Sequence, residues 1–206
     1  MGSEMCIRDR NNKLSNKIYH CYDSSEIDAF LEDYVYYAML LVTLYEINGD
    51  ERSLEKAITI MKEIWEIFYN KDTQLLQKNK IKDNDLFVSP IDLNDSNIPN
   101  GNSVYLLISN KLYSITNDKI WSERNEVLKK SFHQVLNSYY SQMFSFIKTL
   151  DICDNSLSFT FFGTSQSIRE MQLYLQKEYL GVATFVYQLN NDTKPSVCLL
   201  YTSPSP

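Results

Sequence analysis

The hydrophobic positions of the chain predict two helical hairpins of the same design. Residues 28–47 (DAFLEDYVYYAMLLVTLYEI) are apolar on nearly every side after Tyr34, which predicts a helix buried all round. Residues 53–69 instead place apolar side chains at i, i+3, i+4 and i+7, the spacing of a half-exposed helix. The NGDE between them supplies a glycine to end the first helix and an aspartate to cap the second.

The same pattern recurs 68 positions further along, at residue 111 against residue 43. TLYEINGDE (43–51) aligns without gaps with KLYSITNDK (111–119). An apolar run over 104–115 precedes the second turn, and an amphipathic run over 121–136 follows it. Repeated hairpins stack into an open solenoid or close into a ring. Because the first helix of each pair is so apolar, we favour a closed α/α barrel over a solenoid, whose helices keep more contact with solvent.

The C-terminal part changes to strand-like segments. SLSFTFFG (156–163) and GVATFVYQL (181–189) are rich in Phe, Val and Thr, which predicts strands. The stretch between them, SQSIREMQLYLQKEYL, predicts a helix. We therefore expect a mainly α protein: part of an α/α barrel over 11–155, then a small strand–helix–strand appendage over 156–196.

Both ends of the chain match one DNA tag. MGSEMCIRD at the start and CLLYTSPSP at the end are the two strands of a common transposase adapter, each translated in one frame. Residues 1–10 and 197–206 are therefore predicted to be translated sequencing adapter, and we leave them out of the predicted fold. We expect the gene to continue upstream of residue 11. Cys6 and Cys198 then carry no information about chemistry.

Charge and cysteine content exclude some classes of function. The net charge is −6, without a basic patch, which argues against nucleic acid as the main partner. Cys21 and Cys153 lie far apart and outside any CxxC, so the sequence holds no redox or zinc motif. Residues 11–196 contain no signal peptide or membrane span. We therefore expect a cytoplasmic protein with no membrane partner, metal or cofactor.

Four segments, taken in order, resemble the YyaL-type family, which includes spermatogenesis-associated protein 20 and is called thioredoxin-domain-containing. They are FLEDYVYYAMLLVTLYEINGDERSLEKA, PIDLNDSNIPNGNSV, KLYSITNDKIWSERNEVL and the strand–helix–strand. The LEDY and DxxxPxGNS pieces together carry the resemblance. It implies a thioredoxin-like domain ahead of this segment in the same protein. It also implies a six-hairpin α/α barrel related to glycosidase and sugar-epimerase barrels, with this segment as its C-terminal part. The family pattern favours Ser where Asn100 stands.

The motif DSNIPNGNS, which precedes the second inner helix, has a purely structural interpretation. Pro99 fixes its own φ and favours an extended residue before it. Asn100 and Gly101 suit a turn with positive φ. Asn102 or Ser103 can then cap the helix that follows.

The functional interpretation places this motif at the mouth of a cavity. We predict that Asp33 and Asp95 face each other there as acid and base, the arrangement of glycoside chemistry. Carboxylate and amide groups also suit sugar hydroxyls because they donate or accept in fixed directions. The predicted substrate-binding residues are Glu32, Tyr34, Asp92, Asn102 and Ser103. For Asp33 the structural alternative is a first-turn acid favoured by the helix dipole.

The sequence thus predicts part of a carbohydrate-like binding cavity. Two alternatives remain open: a non-catalytic interaction or structural module attached to a redox domain, and an open helical-repeat scaffold. Residues 71–94 are predicted to form a β-hairpin lid over the barrel mouth. His133 is predicted to lie on the surface, and His20, just before the first inner helix, to lie near the mouth.

Overall fold

The computed structural model describes residues 18–20, 28–80, 91–155, 157–178, 183–189 and 196–201. Within these ranges the chain is mainly helical, as predicted. The helices are α1 (Leu31–Asn48), α2 (Glu51–Phe68), α3 (Gly101–Thr116), α4 (Lys119–Tyr139), α5 (Phe144–Asn155) and α6 (Ser165–Glu178). The strands are β1 (Tyr69–Asn70), β2 (Leu75–Leu76), β3 (Leu157–Gly163), β4 (Ala183–Leu189) and β5 (Ser196–Tyr201).

The turns of the two hairpins confirm the predicted repeat. Gly49 ends α1 in the left-handed conformation at φ 70°, and Asn117, 68 positions later, ends α3 at φ 55°. The residues that follow, Asp50 and Asp118, each accept the backbone N–H two residues further on, at 3.2 and 3.1 Å. Both turns therefore use a left-handed residue and an aspartate N-cap, as expected from NGDE.

The two hairpins stack side by side through α1 and α3, their first helices, which we call the inner helices, and we call α2 and α4 the outer helices. The inner helix α1 packs against α2 and α3, and α3 also packs against α4 and α5. The largest fully buried side chains are mostly aromatic: Trp121, Tyr34, Tyr45, Tyr105, Phe68, Phe132, Phe146 and Phe161. Burial of one such side chain contributes about 1.5–3 kcal/mol. Stacking of Phe132 on Phe146, 3.9 Å between ring centres, joins α4 to α5.

One side of α1 is open, so the prediction that this helix is buried all round is wrong. Met39, Leu40, Leu44 and Ile47 are exposed by 37, 52, 37 and 57%. Apolar composition predicts burial but not which neighbours supply it. Among the described residues, no element covers this side of the helix.

The C-terminal appendage contains the predicted strand–helix–strand. β3 and β4 pair in parallel, Leu157 opposite Ala183, with α6 between them in sequence. β5 is an addition to the prediction: it pairs antiparallel with the other edge of β3. It overlaps residues 197–206, which are predicted to be adapter-encoded. Val-Cys-Leu-Leu-Tyr has high β-propensity, and an open strand edge offers unpaired N–H and C=O groups to such a segment.

The appendage covers the C-terminal ends of α1 and α3. Lys111 on α3 donates to Glu46 on α1 at 2.7 Å and reaches the carbonyl of Ala183 on β4 at 3.5 Å. The carbonyl of Glu46 accepts from Gln172 at 2.5 Å and from the hydroxyl of Tyr187. Because this end of the helix pair is covered, the candidate site lies at the opposite end.

Candidate functional site

The N-terminal ends of α1 and α3 lie together, joined by the short β1–β2 hairpin. Leu31, the first residue of α1, donates its N–H to the carbonyl of Lys78 at 3.0 Å. Asn102 of α3 accepts the N–H of Leu76 and donates to its carbonyl, both at 2.8 Å. A β-hairpin lid was predicted over residues 71–94. The observed hairpin of β1 and β2 instead holds the starts of α1 and α3 together. Residues 81–90 of the predicted lid lie outside the described residues.

Asn102 and Ser103 are structural residues, which corrects their predicted substrate-binding role. Asn102 is 0% exposed and Ser103 is 1% exposed, so neither has surface for a ligand. Both polar atoms of the Asn102 side chain bind the backbone of Leu76. Ser103 donates its N–H and its hydroxyl to Asn100 Oδ1, at 2.9 and 3.0 Å.

The N-cap of α3 is Asn100 rather than Asn102 or Ser103. Its φ is −66°, and Gly101 is not among the residues with positive φ, so the predicted positive-φ turn is wrong. A Cβ on Gly101 would lie 2.8 Å from Leu31 Cδ2. Glycine is therefore required at this position by the close approach of α1, not by backbone conformation.

The side-chain amide of Asn100 donates hydrogen bonds that a serine at this position could not make. The two N–H groups of its Nδ2 are shared among three acceptors, the carbonyl of Leu93, Asp95 Oδ1 and Ser145 Oγ, each 3.1 Å from the nitrogen. A serine would keep an oxygen for the cap but would lack these donors. Asparagine at this position thus fits the loop of this chain.

Asp95 has a structural role, because its carboxylate accepts four hydrogen bonds, from Asn100 and Ser145. Oδ1 accepts from Asn100 N and Nδ2, both at 3.1 Å, and from Ser145 Oγ at 2.5 Å. Oδ2 accepts from Ser145 N at 2.6 Å. Burial raises the pKa of Asp95, but the hydrogen bonds from Ser145 and Asn100 together lower it by more, so the pKa lies below its usual 3.8. An ionised carboxylate with these four donors is a poor proton donor.

Asp33 is bound by a different set of partners from Asp95. Its Oδ2 accepts the N–H of Phe30 and lies 2.9 Å from both that nitrogen and Nδ1 of His20. The bond to Phe30 makes Asp33 a first-turn acid that closes the helix start, as the structural alternative held. Among the described residues, the two aspartates share no hydrogen-bond partner. His20 thus lies beside the N-terminal end of α1.

Glu32 is the residue of the predicted set whose bonding is incomplete. Its Oε2 is buried and has no hydrogen-bond partner within the described part of the chain. Its Oε1 lies 3.5 Å from where a Cβ on Gly101 would stand, so it faces the start of α3. Burial raises the pKa of Glu32, with the charges of Asp92 and Asp33 adding to the rise and Lys78 opposing it. This carboxyl therefore takes up a proton more readily than an exposed glutamate.

The other two predicted binding residues lie in different environments. Tyr34 is 1% exposed, and its ring meets Phe68 edge-on at 5.4 Å, so it belongs to the core and cannot contact a substrate. Burial raises the pKa of Tyr34 to about 12. Asp92 is half-buried near Glu32, and its Oδ1 accepts the N–H of Asn94 at 3.2 Å.

Tyr36 is a neighbour of the site that lies outside the predicted set of site residues. Its hydroxyl donates to the carbonyl of Pro99 at 3.0 Å, which fastens the DSNIPNGNS loop to α1. Burial raises its pKa, and the charges of Glu32 and Asp95 contribute. Tyr36 lies four residues after Glu32, on the same face of α1. That spacing is the signal by which the sequence could have indicated it.

A cavity of about 600 Å³ lies between α4 and α5, away from the candidate site. Its lining residues are Glu126, Lys129, Lys130, His133, Leu150 and Asp154. His133 is exposed here, as predicted. The lining mixes charges of both signs and includes an ion pair between Lys129 and Glu126 at 3.5 Å, so it indicates no particular ligand.

The described residues contain no group of three or more His, Cys, Asp or Glu side chains placed to hold a metal ion. None of the helices in those same ranges combines the length and apolarity needed to cross a bilayer. No protein-family model matches the chain, and no curated protein matches its sequence significantly.

Proposed function

We propose that the N-terminal ends of α1 and α3 bind a carbohydrate-like small molecule, with Glu32 as the central acceptor and Asp33 and Asp92 beside it. The observation that carries the proposal is the buried, unpartnered Oε2 of Glu32. A buried polar atom without a partner costs about 1–3 kcal/mol. Glu32 as a whole is only half-buried. A rotation of its side chain would bring this oxygen to a ligand hydroxyl, whose hydrogen bond would remove that cost.

A polyol suits this carboxyl better than an anion does. Neighbouring Asp33 and Asp92 make the surroundings negative, and they contribute to the raised pKa of Glu32. A hydroxyl can donate to ionised Glu32 and accept from its protonated form. The carboxylate of Asp95 already accepts four hydrogen bonds. We therefore propose that this site binds a ligand, and we do not propose catalysis by the acid–base pair predicted from the sequence.

The fold is compatible with this function. Two stacked hairpins with one end covered by an appendage are the arrangement expected for part of an α/α barrel, and ligands of such barrels enter at the open end of the inner helices. We propose that these hairpins belong to such a barrel.

The rival function is a protein-interaction module, and one observation favours it. The open side of α1 presents Met39, Leu40, Leu44 and Ile47 to solvent. Exposed apolar patches of this kind mark surfaces that bind other protein elements.

Binding can be measured directly on the 206-residue chain. Saturation-transfer NMR against a panel of monosaccharides and disaccharides should find at least one ligand. Glu32→Ala should weaken its binding at least tenfold. The matched control is Glu63→Ala on α2, another half-buried acid whose pKa is raised by burial but which lies on the outer helix. Absence of binding to the whole panel, or equal binding by the Glu32 and Glu63 variants, would contradict the proposal.

A further inference from the structure

We infer that the α1–α2 hairpin carries an unfilled copy of the interface that α3–α4 makes with it. The occupant we assign is a further helical hairpin of this protein, stacked on α1–α2 by the same step that relates the two observed hairpins. This inference does not depend on the proposed ligand.

The first observation is a contrast in burial between equivalent positions. The 68-residue step pairs Leu40 with Ile108 and Leu44 with Leu112. Leu40 and Leu44 are 52 and 37% exposed, whereas Ile108 and Leu112 are 1 and 0% exposed. Positions four apart share one face of a helix. The same apolar face is therefore open in the first hairpin and closed in the second.

The second observation shows what closes that face in the second hairpin. Tyr105, which shares this face of α3, donates its hydroxyl to the carbonyl of Met61 on α2 at 3.3 Å. Arg124 on α4 donates to Tyr105 Oη at 3.1 Å, and its guanidinium lies 4.9 Å from the ring centre of Trp65 on α2. A tyrosine from the inner helix and a cation from the outer helix thus bind the outer helix of the preceding hairpin.

The first hairpin has an equivalent pair, a tyrosine and a lysine in place of the arginine, without that partner. Tyr37 and Lys56 stand 68 positions before Tyr105 and Arg124. Lys56 Nζ lies 5.1 Å from the centre of the Tyr37 ring, so the pair is assembled. Yet Lys56 is exposed and Tyr37 is only half-buried, while Tyr105 is 0% exposed. The pair therefore faces the position where the outer helix of another hairpin would lie.

The geometry selects a further hairpin over a second copy of this chain. An interface repeated by one step is heterologous, so the occupant must present the face that α1–α2 presents to α3–α4. In a second copy the corresponding face of α3 is already covered by α5 and β4. The part of this surface that α1 presents, around Leu40, Thr43, Leu44 and Ile47, is uncharged and fits the apolar face of a helix, and Lys56 lies beside it on α2.

The experiment adds one further hairpin ahead of the two observed hairpins. A duplicate of residues 31–98 is inserted ahead of Leu31, which reproduces the 68-residue spacing. Leu40→Cys, at the original α1, is compared with Leu173→Cys on α6, because both leucines are 52% exposed. Alkylation by iodoacetamide is read at each residue by peptide mass spectrometry, in the original and the extended chain.

We expect alkylation at position 40 to slow at least tenfold in the extended chain, while alkylation at position 173 keeps its rate. Circular dichroism of the extended chain should show added helix. Equal alkylation at position 40 in both chains would overturn the inference whether or not helix is gained, since docking is what should order and cover this surface. Slowing at both positions would also overturn it, because that result indicates general association.

Discussion

Replacement of Asp95 tests whether the DSNIPNGNS loop is held by this carboxylate. Asp95→Ala removes the acceptor of four hydrogen bonds and leaves the N–H groups of Asn100 and Ser145 unpaired. A hydrogen bond to a charged group contributes about 1.5–3 kcal/mol, and the bonds of one carboxylate are not additive. Asp95 is half-exposed, so water replaces part of the loss. We expect the free energy of unfolding to fall by about 2–4 kcal/mol.

Urea unfolding at pH 7, followed by circular dichroism, measures this loss. With a slope of about 1–3 kcal/mol per molar urea, the midpoint should fall by roughly 1–2 M and the slope should stay the same. The control is Asp92→Ala, because Asp92 lies in the same loop and, within the described ranges, accepts only the local N–H of Asn94. That change should cost no more than about 0.5 kcal/mol. Equal losses for Asp92 and Asp95 would refute the structural role of Asp95.

The pH dependence gives an independent test of the same carboxylate. The folded protein lowers the pKa of Asp95 below 3.8, so folding favours the ionised form. The stabilisation is therefore complete above the unfolded pKa and is lost as the pH falls through the folded pKa. The difference in unfolding free energy between the wild type and Asp95→Ala should shrink below about pH 4. A difference that stays constant down to pH 2 would contradict the assignment.

Three shorter predictions use other parts of the fold. Gly101→Ala places a Cβ 2.8 Å from Leu31 Cδ2 and should cost about 1–3 kcal/mol in the same urea titration; no loss would show that α1 and α3 separate easily. Lys111→Met leaves the nearly buried Glu46 carboxylate without its cation and should cost about 3 kcal/mol, part of which Glu46→Leu in the same chain restores. Burial raises the pKa of the Cys153 thiol to about 11. Its alkylation at pH 8 should therefore be at least about 100-fold slower in the folded protein than in urea, and equal rates would contradict its burial.

The sequence predicted those parts of the fold that depend on local patterns. The two turns were predictable because Gly49 and Asp50, like Asn117 and Asp118, lie next to each other and each performs a role set by its own chemistry. Helix α5 was not predicted. The open side of α1 was predicted to be buried because an apolar helix indicates burial without specifying its neighbours.

The candidate site was less predictable because its contacts join distant parts of the chain. Three neighbouring residues could each cap α3, and Asn100 is the cap in a structure where Gly101 must lie against Leu31. Asp95 was predicted to be catalytic, but its partner Ser145 lies 50 residues away at the start of a helix that no pattern indicated. Glu32, which was predicted to bind substrate and not to be catalytic, is the member of the predicted set with an unsatisfied buried oxygen.

The hydrogen bonds that cover the end of α1 also set an order of events during synthesis. The carbonyl of Glu46 binds Gln172 and Tyr187, which are 126 and 141 residues further along the chain, and the hydroxyl of Tyr45 binds the N–H of Tyr187, 142 residues away. At about 5–20 residues per second, a ribosome needs on the order of ten seconds to make that interval. Both hairpins can therefore form before α6 and β4, which cover the C-terminal end of α1, have been synthesised. A nascent chain in this interval exposes Tyr45 and the apolar residues around it, which makes the ribosome-bound intermediate a natural substrate for chaperones.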